Sequence, residues 1–174
     1  MPTFNLISKQ TLGSDVSTVT FSSIPQTYTD LFFIINVKTS STGETAYFGY
    51  YQINGDTANN YNYSYAYATG GSSYASGYAV ATTNQGRFTL VQPNDNNPRG
   101  GAILYFGNYA NTSMRKSAIG SGGFANPASF SYGKSFIGGS KWNSTSAITS
   151  VLLAPSSGSF KSGSVLSLYG ISNA

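Results

Sequence analysis

The sequence predicts an all-β fold, a jelly-roll-like antiparallel β-sandwich of about eight to ten strands. The first observation behind this prediction is the composition. Only 8% of the residues are charged, against about 25% in an average globular protein. The polar residues are mostly Ser, Thr, Asn and Gly, which suit strands and turns, and the helix-favouring Glu occurs once, at Glu44.

The second observation is the periodicity in the last third of the chain. Residues 164–171 alternate at period two, as a pleated strand requires. Residues 147–153 predict a strand before it, and the Pro-, Ser- and Gly-rich segment 155–163 predicts the turn between them. We expect Phe160, alone in that segment, to close one end of the core, and the N-terminal strands to pair beside these two.

The third observation is the regular spacing of hydrophobic runs and turn signals along the rest of the chain. Phe4, Leu6 and Ile7 are expected to face the core from the first strand, and the Asn54-Gly55-Asp56 sequence is a strong turn signal. The strands predicted before residue 147 cover residues 4–12, 16–21, 31–37, 47–53, 61–67, 88–91, 101–109, 115–124 and 135–138.

The most hydrophobic segment of the sequence is LFFIINV at residues 31–37. An almost wholly apolar run bounded by turn residues predicts a central strand that is buried on both faces. A buried helix is the alternative, but seven residues that are mostly β-branched or aromatic favour a strand. The length of 174 residues and the lack of a compositional break predict one domain over residues 1–174.

The absence of two residue types excludes much chemistry. Without Cys there is no disulfide scaffold and no thiolate metal site, and without His there is no Ser-His-Asp triad. The nine basic residues give a net charge of +4 but are scattered, and only Arg115 and Lys116 are adjacent. Nucleic-acid binding needs a clustered basic surface. We therefore expect no cofactor, no metal ion and no nucleic-acid partner.

The start of the sequence has no apolar core of signal-peptide length. No run reaches the roughly 18 apolar residues that a membrane-spanning helix needs. We expect synthesis in a cytoplasm without a leader and no membrane association.

Tyrosine occupies every second position from Tyr61 to Tyr67, so these four rings project from one face of a strand. We call these four residues the tyrosine ladder. Exposed rings would stack on sugars or contact a protein partner, whereas the alternative is a half-buried sheet face with hydroxyls at its rim. The ladder lacks the interleaved Arg and Lys that single-stranded nucleic acid requires. The predicted interface residues are Tyr61, Tyr63, Tyr65, Tyr67, Tyr74 and Tyr78.

The acidic side chains do not predict a catalytic site. A glycosidase needs two carboxylates that flank its substrate, but each carboxylate here lies in a turn-like context, where Asp commonly caps its own backbone. Neither residues 54–56 nor residues 94–96 match a twelve-residue calcium loop that ends in Glu. We therefore predict that the protein is not an enzyme. The carboxylates are Asp15, Asp30, Glu44, Asp56 and Asp95.

Three segments carry a resemblance to a known family. They are residues 21–37 (FSSIPQTYTDLFFIINV), residues 48–65 (FGYYQINGDTANNYNYSY) and residues 142–171. The most specific part is AITS at residues 147–150 followed by SLYGI at residues 167–171. These segments resemble small virion proteins of tailed bacteriophages, notably those of cyanobacteria and other aquatic hosts. The resemblance spans most of the chain, but the family has no agreed functional residues to carry over.

The resemblance implies a structural protein on the virion surface with a jelly-roll-like fold. The short chain favours a capsid decoration, or cement, protein that binds the major capsid protein or other virion proteins and stabilises the assembled shell. A tail- or fibre-associated module that binds a receptor or a glycan is the alternative. We expect a homo-oligomer, formed through a sheet edge or the tyrosine face, with a trimer around a lattice three-fold axis as the specific expectation.

Overall fold

The computed structural model describes residues 1–40, 48–69, 75–89, 100–124 and 134–172. The regular secondary structure in these ranges consists of β-strands alone, so the all-β prediction is confirmed. The described residues form twelve strands, more than the eight to ten predicted, and the strand at residues 75–83 was not predicted at all. They are β1 (Thr3–Thr11), β2 (Val19–Phe21), β3 (Asp30–Val37), β4 (Phe48–Ile53), β5 (Tyr61–Thr69), β6 (Ala75–Thr83), β7 (Gly86–Thr89), β8 (Gly100–Phe106), β9 (Lys116–Phe124), β10 (Lys134–Trp142), β11 (Val151–Pro155) and β12 (Val165–Ser172).

The strands form two antiparallel sheets, consistent with a β-sandwich. The large sheet has the order β1-β12-β3-β8-β9-β10-β5-β6, and the small sheet has the order β2-β11-β4-β7. β12 pairs with β1 and β3, while β11 pairs with β2 and β4. The prediction that N-terminal strands pair beside the last two strands is therefore confirmed.

The core lies between the two sheets, and β3 contributes most to it. Leu31, Phe33, Ile35 and Val37 on its inner face are fully buried. The Phe33 ring packs edge to face on the Phe21 ring of the small sheet, with 5.4 Å between centroids. Burying one such side chain is worth about 1.5–3 kcal/mol, so this single strand face anchors the packing of the two sheets.

The prediction that β3 is buried on both faces is wrong. β3 is central in its sheet, between β12 and β8, but Ile34 on its outer face is 44% exposed and Asn36 is exposed. The small sheet covers only the inner face of the large sheet, and no described residue covers Ile34 from the other side. The apolar run at residues 31–37 does not reveal this difference between the two faces.

The first strand also faces the core differently from the prediction. Phe4 and Leu6 are 56% and 55% exposed, whereas Ile7 packs against the core. The register between β1 and β12 shifts between Leu6 and Ser8. Such a β-bulge places one extra residue in one strand and so reverses which positions point inward.

Turns and loops at the ends of the sandwich are held by specific polar contacts. Phe160 is fully buried and forms antiparallel bridges with Val16 and Thr39, which confirms that it closes one end of the core. Asn54 and Gly55 both have positive φ, as a type I′ turn requires, and the Asp56 backbone amide donates to the Ile53 carbonyl across the turn at 2.9 Å. The Asn54 side-chain oxygen accepts from the backbone amide of Thr149 at 2.8 Å.

Lys116, at the start of β9, is buried with 2% of its surface exposed. Its ammonium donates to three backbone carbonyls, those of Asn111, Met114 (2.8 Å) and Thr145 (3.1 Å). Burial lowers the pKa of Lys116. The contacts join the loop before β9 to the loop after β10, so this buried cation has a structural explanation.

Two hairpins make the large sheet wider than the small one. β9–β10 and β5–β6 follow β8 in the large sheet, which has eight strands against four in the small sheet. β7, the edge strand of the small sheet, packs against β9 and β10 and only marginally against β5. β5 and β6 therefore extend past the edge of the small sheet, and this overhang carries the tyrosine ladder.

Candidate functional site

The tyrosine ladder projects from the inner face of β5, and the small sheet covers only part of it. Tyr61 and Tyr63 are 2% and 6% exposed, whereas Tyr65 and Tyr67 are half-buried. Tyr78 of β6 lies directly opposite Tyr65 and is 55% exposed. The ladder thus runs along β5 from the core to the solvent. Of its four rings, only those of Tyr65 and Tyr67 remain candidates for contact with a partner.

Tyr61 belongs to the core and has a structural role. Its hydroxyl accepts from the backbone amide of Ile53 at 2.9 Å and donates to the backbone carbonyl of Asp56 at 3.2 Å. Its ring stacks on Trp142, and burial raises the pKa of Tyr61 to about 12. Trp142 is itself part of the core, with 3% of its surface exposed.

Asp56 completes this buried corner. Its carboxylate accepts from Nε1 of Trp142 at 2.7 Å, from the Asn60 side chain at 3.0 Å and from the Ala58 backbone amide at 2.9 Å. Burial acts to raise the pKa of Asp56, but these three hydrogen bonds outweigh it, so the pKa lies below its usual value. The carboxylate is fully engaged as an acceptor, which favours turn chemistry over catalysis.

Arg87 of β7 covers the middle of the ladder. Its guanidinium lies 4.6 Å from the centroid of the Tyr63 ring and 5.2 Å from that of Phe48, within cation–π range. Burial raises the pKa of Tyr63 and of Tyr65, and the charge of Arg87 partly opposes this rise. Arg87 makes no ion pair with a carboxylate of the described chain, where Lys161 and Asp15 form the one ion pair.

Tyr65 is the centre of the outer half of the ladder. Its ring centroid lies 4.6 Å from Phe48, 5.7 Å from Tyr78 and 6.3 Å from Tyr67. Phe136 of β10 packs beneath, with 5.4 Å between its centroid and that of Tyr67. We call Tyr65, Tyr67 and Tyr78, with Arg87 at their border, the tyrosine surface. Ring contacts fix its geometry before any partner binds.

The tyrosine surface offers ring faces, hydroxyl groups and one guanidinium. These groups suit the recognition of a protein or a sugar, but none of them is a general base at neutral pH. Asp15, Asp30 and Asp56 lie apart and hold backbone or side-chain partners. Asp30 begins β3 and is 7% exposed, so its predicted turn context is wrong. No group of metal-binding side chains occurs among the described residues.

Some predicted residues lie outside the described ranges, namely Tyr74, Glu44 and Asp95. Other members of the site were missed by the sequence analysis. Arg87, Phe48 and Phe136 come from three different strands, and the aromatic content of β-prone segments is the only signal that singles out the last two. Arg87 has no local signal, because its position over Tyr63 depends on how the sheets pack.

No family model matches the chain, and comparisons with curated proteins and with solved structures find no match either. The described part of the chain contains no helix that could cross a membrane.

Proposed function

We propose that this chain is a structural protein of a bacteriophage particle, a capsid decoration protein that binds the assembled shell. The observation that carries the proposal is the tyrosine surface. Tyr and Arg are enriched at the energetic centres of protein interfaces, where they bury large areas at low conformational cost. Tyr65 and Arg87 are held by Phe48 and Tyr63 before binding, so little side-chain entropy remains to be lost. The resemblance of residues 142–171 to phage virion proteins is the reason for proposing that the partner belongs to a phage particle.

The proposed role is stabilisation by mass action. A protein that binds the assembled lattice and not the loose subunit shifts the equilibrium toward the assembled shell. No reacting group is needed for this role, and the outer tyrosines offer none. We therefore propose a binding function rather than an enzymatic one, with the virion surface as the location and the major capsid protein as the partner.

We also propose that the sandwich is a jelly roll widened by two inserted hairpins. A jelly roll consists of eight strands in two sheets. When the hairpins β5–β6 and β9–β10 are set aside, the sheets have the orders β1-β12-β3-β8 and β2-β11-β4-β7. Going along the chain, each of these eight strands then lies in the other sheet from the one before it. The one exception is the step from β4 to β7, which are both in the small sheet. This order supports the proposal.

A tail- or fibre-associated glycan-binding module is the second candidate. The observation that favours it is the exposure of Tyr78, 55%, beside the half-buried ring of Tyr65. Open aromatic faces next to hydroxyl groups can stack on the apolar face of a sugar ring. Arg87 would add hydrogen bonds to sugar hydroxyls or carboxylates.

Cryo-electron microscopy of the source phage separates the two candidates. Density of this sandwich repeated over the capsid lattice is the expected result for a decoration protein. Density confined to the tail, with saturable binding of the isolated protein to host cells, would support the glycan-binding module instead. A particle without this density would contradict both.

The first prediction concerns the surface that makes the contact. The double variant Tyr65→Ala/Tyr78→Ala should bind particles that lack this protein at least about tenfold more weakly, because truncating a central interface tyrosine costs about 2 kcal/mol or more. Met114→Ala, an exposed side chain in the loop before β9, is the control. Normal binding by the double variant, or equally weak binding by the control, would contradict the choice of surface. Tyr63→Ala is unsuitable because Tyr63 is 6% exposed, so its truncation would destabilise the fold.

A further inference from the structure

The large sheet has a second face, which points away from the small sheet. We call its central part, three residues deep on most strands from β12 to β6, the outer face. Strand pairing places its residues in three rows across the sheet. The rows are Tyr169, Phe32, Tyr105, Ile119, Gly139, Ser64 and Ala79; then Ser167, Ile34, Ile103, Ser121, Ile137, Ala66 and Gly77; then Val165, Asn36, Gly101, Gly123, Ser135 and Ala68.

The outer face exposes four isoleucines. Ile34 and Ile103 are 44% and 40% exposed, and Ile119 and Ile137 are 58% and 61% exposed. A sheet with one solvated face normally alternates apolar residues inside with polar residues outside. The outer face departs from this pattern, which is also why the sequence of β3 predicted burial on both faces. Exposed aliphatic groups gathered on one surface indicate an interface.

None of the outer-face residues is charged, although the whole chain has a net charge of +4. The nearest charged side chains lie at its margins, such as Lys9 on β1, Asp30 at the start of β3 and Lys141 near the end of β10. Two copies of a positively charged chain repel each other. This repulsion is weakest when they meet through an uncharged surface. An uncharged face also leaves no buried charge without a partner when it is covered.

The outer face has two shallow depressions, each bordered by isoleucines. One shallow depression of about 550 Å³ lies over β10, β5 and β6, with a floor of small residues that includes Ala66 and Gly139. A second of about 310 Å³ lies over β3, β8 and β9 and includes Gly101. Ile34 and Ile103 border the second depression, and Ile137 borders the first.

A two-fold axis along β9 would bring these features together. Rotation about this axis places β10 of one copy over β8 of the other and β5 over β3, as the strand order dictates. Ile137 of one copy then lies opposite Ile103 of the other, and Ile34 lies opposite Ala66 in the floor of the first depression. Ser121, in the middle row of β9, lies on the axis and faces its own copy.

The area of the outer face is large enough for a stable dimer. Seven strands about 4.8 Å apart and three rows along them cover about 34 Å by 20 Å, or about 680 Å² in flat projection. Stable interfaces bury about 1,200–2,000 Å² in total, or about 600–1,000 Å² on each partner, and the outer face lies within this range. Two such faces pack as sheets do in a sandwich, about 10 Å apart.

We propose that the outer face is the interface between two copies of this chain, packed sheet to sheet about a two-fold axis along β9. This proposal does not depend on the proposed function, because the tyrosine surface lies on the inner face of the same sheet. In the dimer the tyrosine surfaces remain open and point away from the interface. A dimer would thus present two contact surfaces to a particle.

Sedimentation velocity of the purified protein tests the proposal. We expect a dimer for the wild type and at least tenfold weaker association for Ile137→Lys, which buries a charge opposite the second depression. Met114→Lys is the matched control, because Met114 is 57% exposed in a loop before β9. A wild-type monomer, a wild-type trimer, or an Ile137→Lys variant that dimerises like the control would overturn the proposal. A monomer would leave the outer face to another protein of the particle.

A second measurement locates the axis. The chain has no cysteine, so an introduced one is the only thiol. Packed sheets lie farther apart than a disulfide can reach, so a short bismaleimide reagent is used in place of oxidation. Ser121→Cys should cross-link efficiently to its own copy, whereas Met114→Cys should not. Equal cross-linking of the two variants would overturn the two-fold axis along β9.

Discussion

Asp56 is the residue that joins the turn after β4 to the single tryptophan of the chain. Its carboxylate oxygens accept three hydrogen bonds, the shortest from Nε1 of Trp142 at 2.7 Å. Trp142 in turn stacks on Tyr61, the innermost ring of the tyrosine ladder. One carboxylate therefore fixes the end of the ladder that lies in the core.

The second prediction follows from this corner. Asp56→Asn replaces one acceptor oxygen by an amide donor, so at least one of the three hydrogen bonds is lost. We expect the free energy of unfolding to fall by about 1–3 kcal/mol, measured by urea unfolding with Trp142 fluorescence as the signal. Asp15→Asn is the control: Asp15 pairs with Lys161 at the surface, and both side chains are nearly half exposed. The prediction fails if the two variants are equally stable.

At the scale of elements, the β5–β10 pair shows how glycine shapes the tyrosine surface. Gly138 lies directly opposite Tyr65. A Cβ atom on Gly138 would lie 2.7 Å from the Ser64 carbonyl oxygen and 2.8 Å from Cβ of Tyr65. Both distances are shorter than van der Waals contact. Only glycine at position 138 therefore lets the Tyr65 side chain lie against β10.

The third prediction tests this contact. Gly138→Ala should lower the free energy of unfolding by about 1–3 kcal/mol, because the added methyl group forces the β5 backbone to shift. It should also weaken particle binding through the displaced Tyr65. Gly77→Ala is the matched control on the other neighbour of β5, where the new Cβ would lie at an ordinary 3.8 Å from the Tyr65 carbonyl oxygen. Thermal unfolding of both variants measures the difference, and equal melting temperatures would contradict it.

The elements also show how far the sequence could predict this molecule. Period-two spacing correctly placed the four ladder rings on one face, because that spacing is a local property of a strand. It could not separate the buried Tyr61 and Tyr63 from the half-buried Tyr65 and Tyr67. That difference depends on where β7 ends the small sheet, which is set by pairing between strands far apart in the chain.

β3 and β1 also show that a local sequence pattern does not determine which face of a strand is buried. Residues 31–37 predicted a central strand correctly, yet a hydrophobic run does not tell which layer covers each side. In β1, one bulge reversed the inward positions after Leu6. The site itself could be predicted only in part, since Arg87 reaches Tyr63 from the other sheet.

At the scale of the whole molecule, the composition sets the pH response. The chain has no His, and its acidic groups and tyrosines titrate at opposite ends of the pH range. The folded-state pKa values of Asp15 and Asp56 are both lowered. For Asp15 the main cause is the hydrogen bond from the Ser162 backbone amide. For Asp56 burial acts to raise the pKa, but the hydrogen bonds to its carboxylate outweigh burial. Their stabilisation is complete above the unfolded pKa of about 3.9 and is lost as the pH falls through the folded value.

The last prediction is a broad plateau of stability. Burial raises the folded-state pKa of Tyr61 to about 12 and that of Tyr51 further. Their contribution is complete below the unfolded pKa of about 10 and is lost as the pH rises toward the folded values. The urea midpoint should therefore be nearly constant from about pH 5 to about pH 9 and fall on both sides. Tyr61→Phe should lower the plateau but make its alkaline limb less steep. A midpoint that changes strongly between pH 6 and 8 would contradict this account, because no side chain with an ordinary pKa there is present.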